Sequence, residues 1–319
     1  MTAYIFRRLF LAVLTLILVS VMVFAVMRLL PGDPLIIFLG RSAGLEQMSQ
    51  ERIEQLRHEY GLDKPPVQQY FDWIGGVVHG DLGRSITYRD NVATLMAERF
   101  PVTLHIGIVA FILGNALGIL MGIIGALRRG TWIDNTVTAV SYIGIAIPVF
   151  WLGLLMIYLF SYTLKWLPIT GYVSPFEDFW LSTKHIIMPV ICQMITGMAI
   201  IARQTRSSVL EVSRQDYVRT AWSKGLRERY IVMKHMLKNS LIPVVTMLGI
   251  GVGLIFGGSV LVEMVFAIPG VGRLMVQSVF QQDYVVVQSG VLVISFIVII
   301  CNLLVDISYG WLDPRIRYG

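Results

Sequence analysis

The stretch RTAWSKGLRERYIVMKHMLKNSLIP, Arg219–Pro243, is a long basic interruption in an otherwise apolar chain. The segment from Arg203 to Asn239 carries nine of the 26 Lys and Arg residues, opposed only by Glu211, Asp216 and Glu228. Its surroundings decide the class of protein. Of 319 residues, 55% are hydrophobic and only 14% are charged, and the mean hydropathy is +0.70. Soluble domains carry roughly 25% charged residues. So much apolar surface cannot be hidden in one soluble core, and the chain reads as an all-α polytopic membrane protein. The pI of about 9.4 does not point to nucleic acid, because the bases sit beside apolar runs rather than in solvated patches. Cytoplasmic loops account for them better.

Apolar runs long enough to span, roughly 17–25 residues, occur at Leu9–Leu29, Val102–Leu127, Asn135–Leu164, Ile186–Ala202, Leu241–Val265 and Val285–Trp311. Six transmembrane helices are expected. The first, 1–30, reads as a retained anchor: its apolar run outlasts a signal-peptide core, and no small-x-small cleavage site follows. Arg7 and Arg8, the Arg128–Arg129 turn, the 203–240 loop and the tail with Arg315 and Arg317 fall on one side. The opposite side has the acidic segment 31–101. Short basic loops stay inside, so both termini are expected in the cytoplasm and 31–101 outside it, ahead of a core domain 102–319.

The exported segment has helical patterns of its own. Ile53, Leu56 and Tyr60 share one face, and after Pro65–Pro66 a second short amphipathic run carries Val67, Tyr70, Phe71 and Ile74. A small lid over the span ends and a docking surface for a soluble partner are both open readings.

Within the spans, Gly114, Gly118 and Gly122 repeat every four residues, as do Gly249, Gly253 and Gly257. Small residues at this spacing let helices approach closely. Intramembrane charge is sparse. Glu263 lies near the outer end of the fifth span and Asp306 toward the inner end of the sixth, so each is a candidate for the transport path or for hydrogen bonding to helix ends. Pro148 and Pro189 are positioned to kink their helices.

Enzymatic chemistry finds no footing. The five histidines are scattered, and neither an HExxH pair nor a Cys/His cluster occurs. Cys192 and Cys301 suggest neither a disulfide framework nor a metal site. Gly125–Gly130 has the glycine spacing of a phosphate loop, but Thr131 and Trp132 stand where Lys and Ser/Thr are required. No catalytic or metal residue is therefore assigned, and any ATP must be hydrolysed by another subunit.

The opening stretch has an internal design. Arg219–Lys224 reads as a short helix ended by Gly225, a residue suited to a left-handed cap, with Ala221 and Trp222 presented on it. From Arg227 onward, Tyr230, Met233, Leu237 and Leu241 repeat at helical spacing, and Pro243 opens the next span. A compact helix-turn-helix is expected. By charge alone it would serve as a headgroup-binding loop.

The string RTAWSKGL…KHMLKNSLIPVV resembles the cytoplasmic signature loop of ABC importer permeases in the dipeptide, oligopeptide and nickel transport family, including its long spacing from Gly225 to Pro243. The likeness extends through YIFRRL, LLPGDP, YGLDKP, HGDLGRS, RSSVLEV, VEMVFAIPGVGRL, QDYVVVQ and NLLVDISYGWLDPRIRY. Trp222, where the family often has Arg, and Val285, where Pro is common, depart from it. The resemblance implies a type I importer fold in the cell inner membrane. It also implies a homologous second permease, two ATPase subunits holding ATP and Mg, and an extracytoplasmic substrate-binding protein. Arg219, Thr220, Ala221, Trp222 and Gly225 would then couple to the ATPase, and Pro269, Gly270 and Gly272 would belong to a re-entrant outer gate. Small peptides are the expected cargo, with nickel chelates or other peptide-like solutes as the alternative. A secondary transporter would require repeats and a midplane acid, and neither stands out.

Overall fold

The computed structural model describes residues 2–29, 50–59, 61–253, 255 and 259–312. Gly257 and the tail arginines lie outside the described residues, and so does the side chain of Asp306. The described chain is helical throughout, with one isolated antiparallel bridge between Arg84 and Asn91. In order, the helices are α1 (Thr2–Leu29), α2 (Gln50–Glu59), α3 (Pro66–Val78), α4 (Val92–Leu127), α5 (Trp132–Ala146), α6 (Val149–Met156), α7 (Phe179–Ser213) and α8 (Asp216–Ser223). There follow α9 (Glu228–Tyr230), α10 (Lys238–Gly251), α11 (Ser259–Val265), α12 (Val271–Gln281) and α13 (Tyr284–Leu312). π-helical turns extend α6 through Ile157–Thr163 and join α9 to α10 through Ile231–Leu237.

Among the described residues four helices are long and apolar enough to cross a membrane: Phe6–Leu29, Val92–Leu127, Phe179–Ser213 and Tyr284–Val305. The expected span Asn135–Leu164 is instead two helical arms meeting at 102°. Pro148 causes the break. It forces Ile147 into extended backbone, ψ 125°, and itself starts α6. Pro189, in contrast, sits inside the unbroken α7. The expected span Leu241–Val265 is likewise not one helix, since α10 ends at Gly251 and α11 begins at Ser259. Gly249, Gly251 and Gly253 cluster at that break, and each glycine costs a helix about 1 kcal/mol relative to alanine.

Two compact units emerge, one of residues 1–102 with 269–319, the other of residues 103–268. In the first, α1 and α12 pack against α13. Helix α3 lies across α1 through Tyr70 and Trp73, whose rings meet Phe24 at centroid distances of 5.4 and 6.2 Å. Trp73 Nε1 also donates to Ser289 Oγ at 3.0 Å. The opposite face of α3, with Val67, Phe71 and Val78, is exposed. Asp283 caps α13 and is fully buried. Its carboxylate accepts from Ser85 Oγ at 2.5 Å and from Thr87 N at 3.0 Å, which fastens the 79–91 loop to the start of that helix.

In the second unit α7 is the centre, flanked by α5, α6, α10 and α11. The α4 glycines bring that helix close to α7. A Cβ added at Gly114 would stand 2.9 Å from Met194 Cβ, at Gly118 2.6 Å from Met198 O, and at Gly122 2.5 Å from Ala202 O. No side chain larger than hydrogen fits where two backbones come this near.

Candidate functional site

The basic element grows out of the end of α7. Arg214 closes that helix, and Gln215 turns extended (ψ 147°) so that the chain reverses into α8. Helix α8 spans Asp216–Ser223, three residues longer at its start than the sequence pattern suggests. Its end is a Schellman motif: Gly225 N donates to Trp222 O at 2.9 Å and Leu226 N reaches Ala221 O at 3.4 Å, with Gly225 at φ +69°.

The inward face of α8 differs from expectation. Ala221, expected to be presented outward, is buried with Val218 against Val209, Ala126, Ile231, Val232 and Met236. Starting the helix at Asp216 puts Val218 and Ala221, three apart, on the inner side. Arg219, Thr220 and Trp222 are exposed, and Trp222 keeps 48% of its surface. The expected stripe Tyr230, Met233, Leu237 and Leu241 is also displaced, for Tyr230 and Met233 face outward. The π turn widens the i→i+4 repeat to i→i+5. Ile231 and Met236 therefore fall on one side, followed by Ser240 and Val244, all buried. Pro243 lies within α10 rather than at its start.

An ion pair that sequence reading missed anchors the base of this element. Arg206 on α7 forks onto Asp134 on α5, Nε to Oδ1 at 2.5 Å and Nη2 to Oδ2 at 2.9 Å. Gly130 N adds a bond to Oδ2 at 3.0 Å, so Asp134 is buried but fully engaged. The bidentate geometry makes this a strong contact. It ties the turn after Arg128–Arg129 to the helix that leads into α8. The only sequence signal was Arg206 itself, a cation four residues past the apolar run ending at Ala202.

The remaining candidates separate. Glu263 is fully buried in α11 and accepts from Thr103 Oγ1 at 2.7 Å. Gly270 stands at the start of α12 with Pro269 before it and Gly272 inside. At 11 residues, α12 reaches about 17 Å, well short of the roughly 30 Å a crossing needs. It packs on α13 through Val271, Leu274 and Met275. Gly249 is half-buried in α10 and Gly253 falls in the turn after it. Among the described residues no three His, Cys, Asp or Glu side chains gather where a metal ion could be held.

Residues 114–318 match the family described as binding-protein-dependent transport system inner membrane component, and residues 1–107 match the N-terminal membrane component of such systems. The chain belongs to this family. It is a transport permease family, and full-length relatives accompany the match. The di/tripeptide transport system permease protein DppB of Pseudomonas aeruginosa (strain UCBPP-PA14) is 40% identical over 338 residues, 100% of this chain and 99% of its own length. The dipeptide transport system permease protein DppB of Escherichia coli (strain K12) is 39% identical over 341 residues, with the same coverage. Among solved structures, the MetNI methionine ABC transporter in inward-facing conformations superposes with a TM-score of 0.53 at 21% identity, over 69% of this chain and 95% of that one. At that identity the likeness speaks for the permease fold alone.

Proposed function

We propose that this chain is the membrane-spanning permease subunit of an ATP-driven importer of short peptides in the cell inner membrane. It forms half of the translocation pathway, beside a homologous second permease. Two ATPase subunits holding ATP and Mg dock on the cytoplasmic side, and a binding protein delivers peptide from the opposite side. Both termini are cytoplasmic, and 31–101 is extracytoplasmic. The bent pair α5–α6 and the interrupted segment from α10 to α11 supply the crossings beyond the four long helices, six in all.

The observation that carries the coupling reading is the build of α8: a capped helix whose inner face is packed and whose outer face exposes Trp222, Arg219 and Thr220, the last two bonded back to Asp216 at the start of the same helix. Motion of an ATPase gripping that face is passed through the Val218–Ala221 cluster to α7 and α10, a two-state element biased by ATP at one end and peptide at the other. Peptides as cargo rest on the relatives named above, each similar over its whole length. Reconstitution with the second permease, both ATPases and the binding protein tests the proposal. ATP-dependent uptake of a labelled dipeptide is expected. Uptake driven by a proton gradient without ATP would make the chain a secondary transporter instead.

A further inference from the structure

Helix α3 presents three sides. Tyr70 and Trp73 turn toward α1, Val67, Phe71, Ile74 and Val78 recur at helical spacing as an apolar stripe, and Gln68 and Asp72 form a polar side. The stripe is exposed: Val67, Phe71 and Val78 keep 70, 64 and 78% of their surface. The polar side is exposed as well, and Lys64 Nζ neutralises Asp72 at 2.6 Å. Bonds to two spanning helices set the height of α3. The Tyr70 hydroxyl meets Ser20 Oγ at 2.9 Å, nine residues before the end of α1 at Leu29, or about 13 Å along its axis. Trp73 stacks on Phe24, five residues before that end, and its Nε1 donates to Ser289, five residues into α13. Both helices therefore put the Trp73 ring about 8 Å inside the apolar layer. Arg28 marks the border of that layer. Its guanidinium lies over the Phe24 ring at 4.8 Å and donates to Gln69 Oε1, the behaviour of an arginine reaching from a span's end toward the headgroups.

We propose that α3 lies in the boundary between headgroups and acyl chains at the Leu29 end of α1, with lipid covering Val67, Phe71, Ile74 and Val78. A helix in that boundary needs an apolar side for the chains and a polar side for water. Helix α3 has both, beside the side that α1 takes. Such helices sit about 5–10 Å deep, the depth that Trp73 shows. A soluble partner would have to enter the apolar layer to reach the stripe, and α1 exposes Met22 and Val26 at the same level. Held by lipid on one side and α1 on another, α3 keeps the 79–91 loop at the membrane surface, where Asp283 fastens it.

The test places a nitroxide at Phe71→Cys, Val78→Cys or Gln68→Cys in the assembled transporter, held in nanodiscs of phosphatidylethanolamine and phosphatidylglycerol. Cys192 is fully buried and stays in place, and Cys301→Ala supplies the background. Collisions of the nitroxide with oxygen, which concentrates among acyl chains, are compared with collisions with a polar nickel chelate, which stays in water. The oxygen-to-nickel ratio is expected to be several-fold higher at Phe71 and Val78 than at Gln68. Adding the binding protein should leave the ratio at Phe71 unchanged. The inference is overturned if the nickel chelate reaches Phe71 and Val78 as freely as Gln68, which puts the stripe in water. It is equally overturned if neither reagent reaches the stripe, as under a second permease, or if the binding protein shields Phe71 from oxygen, which makes the stripe its docking surface. A ratio at Gln68 as high as at Phe71 would sink the orientation, since the polar side would then lie in the acyl layer too.

Discussion

Gly225 isolates backbone strain from every other effect. Its φ of +69° is left-handed, and a Cβ there would meet nothing within 4 Å. Gly225→Ala therefore adds no clash, only the penalty of an L-residue in this conformation, about 1–2 kcal/mol. Gly225→Val costs more because a β-branched side chain tolerates the left-handed region worst, whereas Gly225→Asn costs less because Asn enters it readily. A penalty of 1–2 kcal/mol shifts a local opening equilibrium about 5–30-fold. Amide hydrogen exchange over 216–226 in the assembled transporter reads this directly, and peptides imported per ATP hydrolysed read its consequence. Exchange should quicken in the order Asn, Ala, Val, with the coupling ratio falling in the same order. Equal behaviour of Gly225→Asn and Gly225→Val would refute the strain account and imply that the ATPase needs the bare backbone.

Gly118→Val pushes a side chain into Met198 O, 2.6 Å from the added Cβ. It should lower the thermal stability of the solubilised permease by about 1–3 kcal/mol, while Gly197→Ala, where a Cβ meets nothing within 4 Å, leaves it unchanged or slightly raised. Asp134→Asn and Arg206→Gln should each cost about 1–3 kcal/mol, and the double variant should cost less than their sum in a thermal-melt cycle. Asp283→Ala removes the acceptor for Ser85 and Thr87. Proteolysis of the solubilised permease should then reach the 79–91 loop faster, by about tenfold for a bond to a charged group. Ala221→Glu should destabilise the α7–α10 turn itself, read as loss of the assembled complex, whereas Trp222→Ala should leave assembly intact.

Much of this was legible from local chemistry. Gly225 announced a turn because no other residue takes positive φ so cheaply, and the spacing of Gly114, Gly118 and Gly122 described a face that meets a second helix at backbone distance. Pro148 was readable as a disruption, but not as a 102° elbow, since a proline in a long apolar run can also be absorbed, as Pro189 is. The orientation of Ala221 was not legible. Reading the helix start three residues late hid the pairing of Ala221 with Val218, and the π turn at Ile231–Leu237 exchanged inner and outer faces for Tyr230 and Met233. The pairs Asp134–Arg206 and Ser85–Asp283 join residues 72 and 198 apart in sequence, a distance over which no periodicity operates. The motifs HGDLGRS and QDYVVVQ, separate in the chain, are two halves of one contact.

The outer face of α8 is proposed to convert ATP hydrolysis into peptide movement. Its most direct test is paired measurement of dipeptide accumulation and ATP hydrolysis in proteoliposomes holding the full complex, with the parent chain or Trp222→Ala. The account predicts accumulation for the parent, and for Trp222→Ala continued hydrolysis with few peptides moved per ATP. Equal accumulation per ATP in both would contradict it.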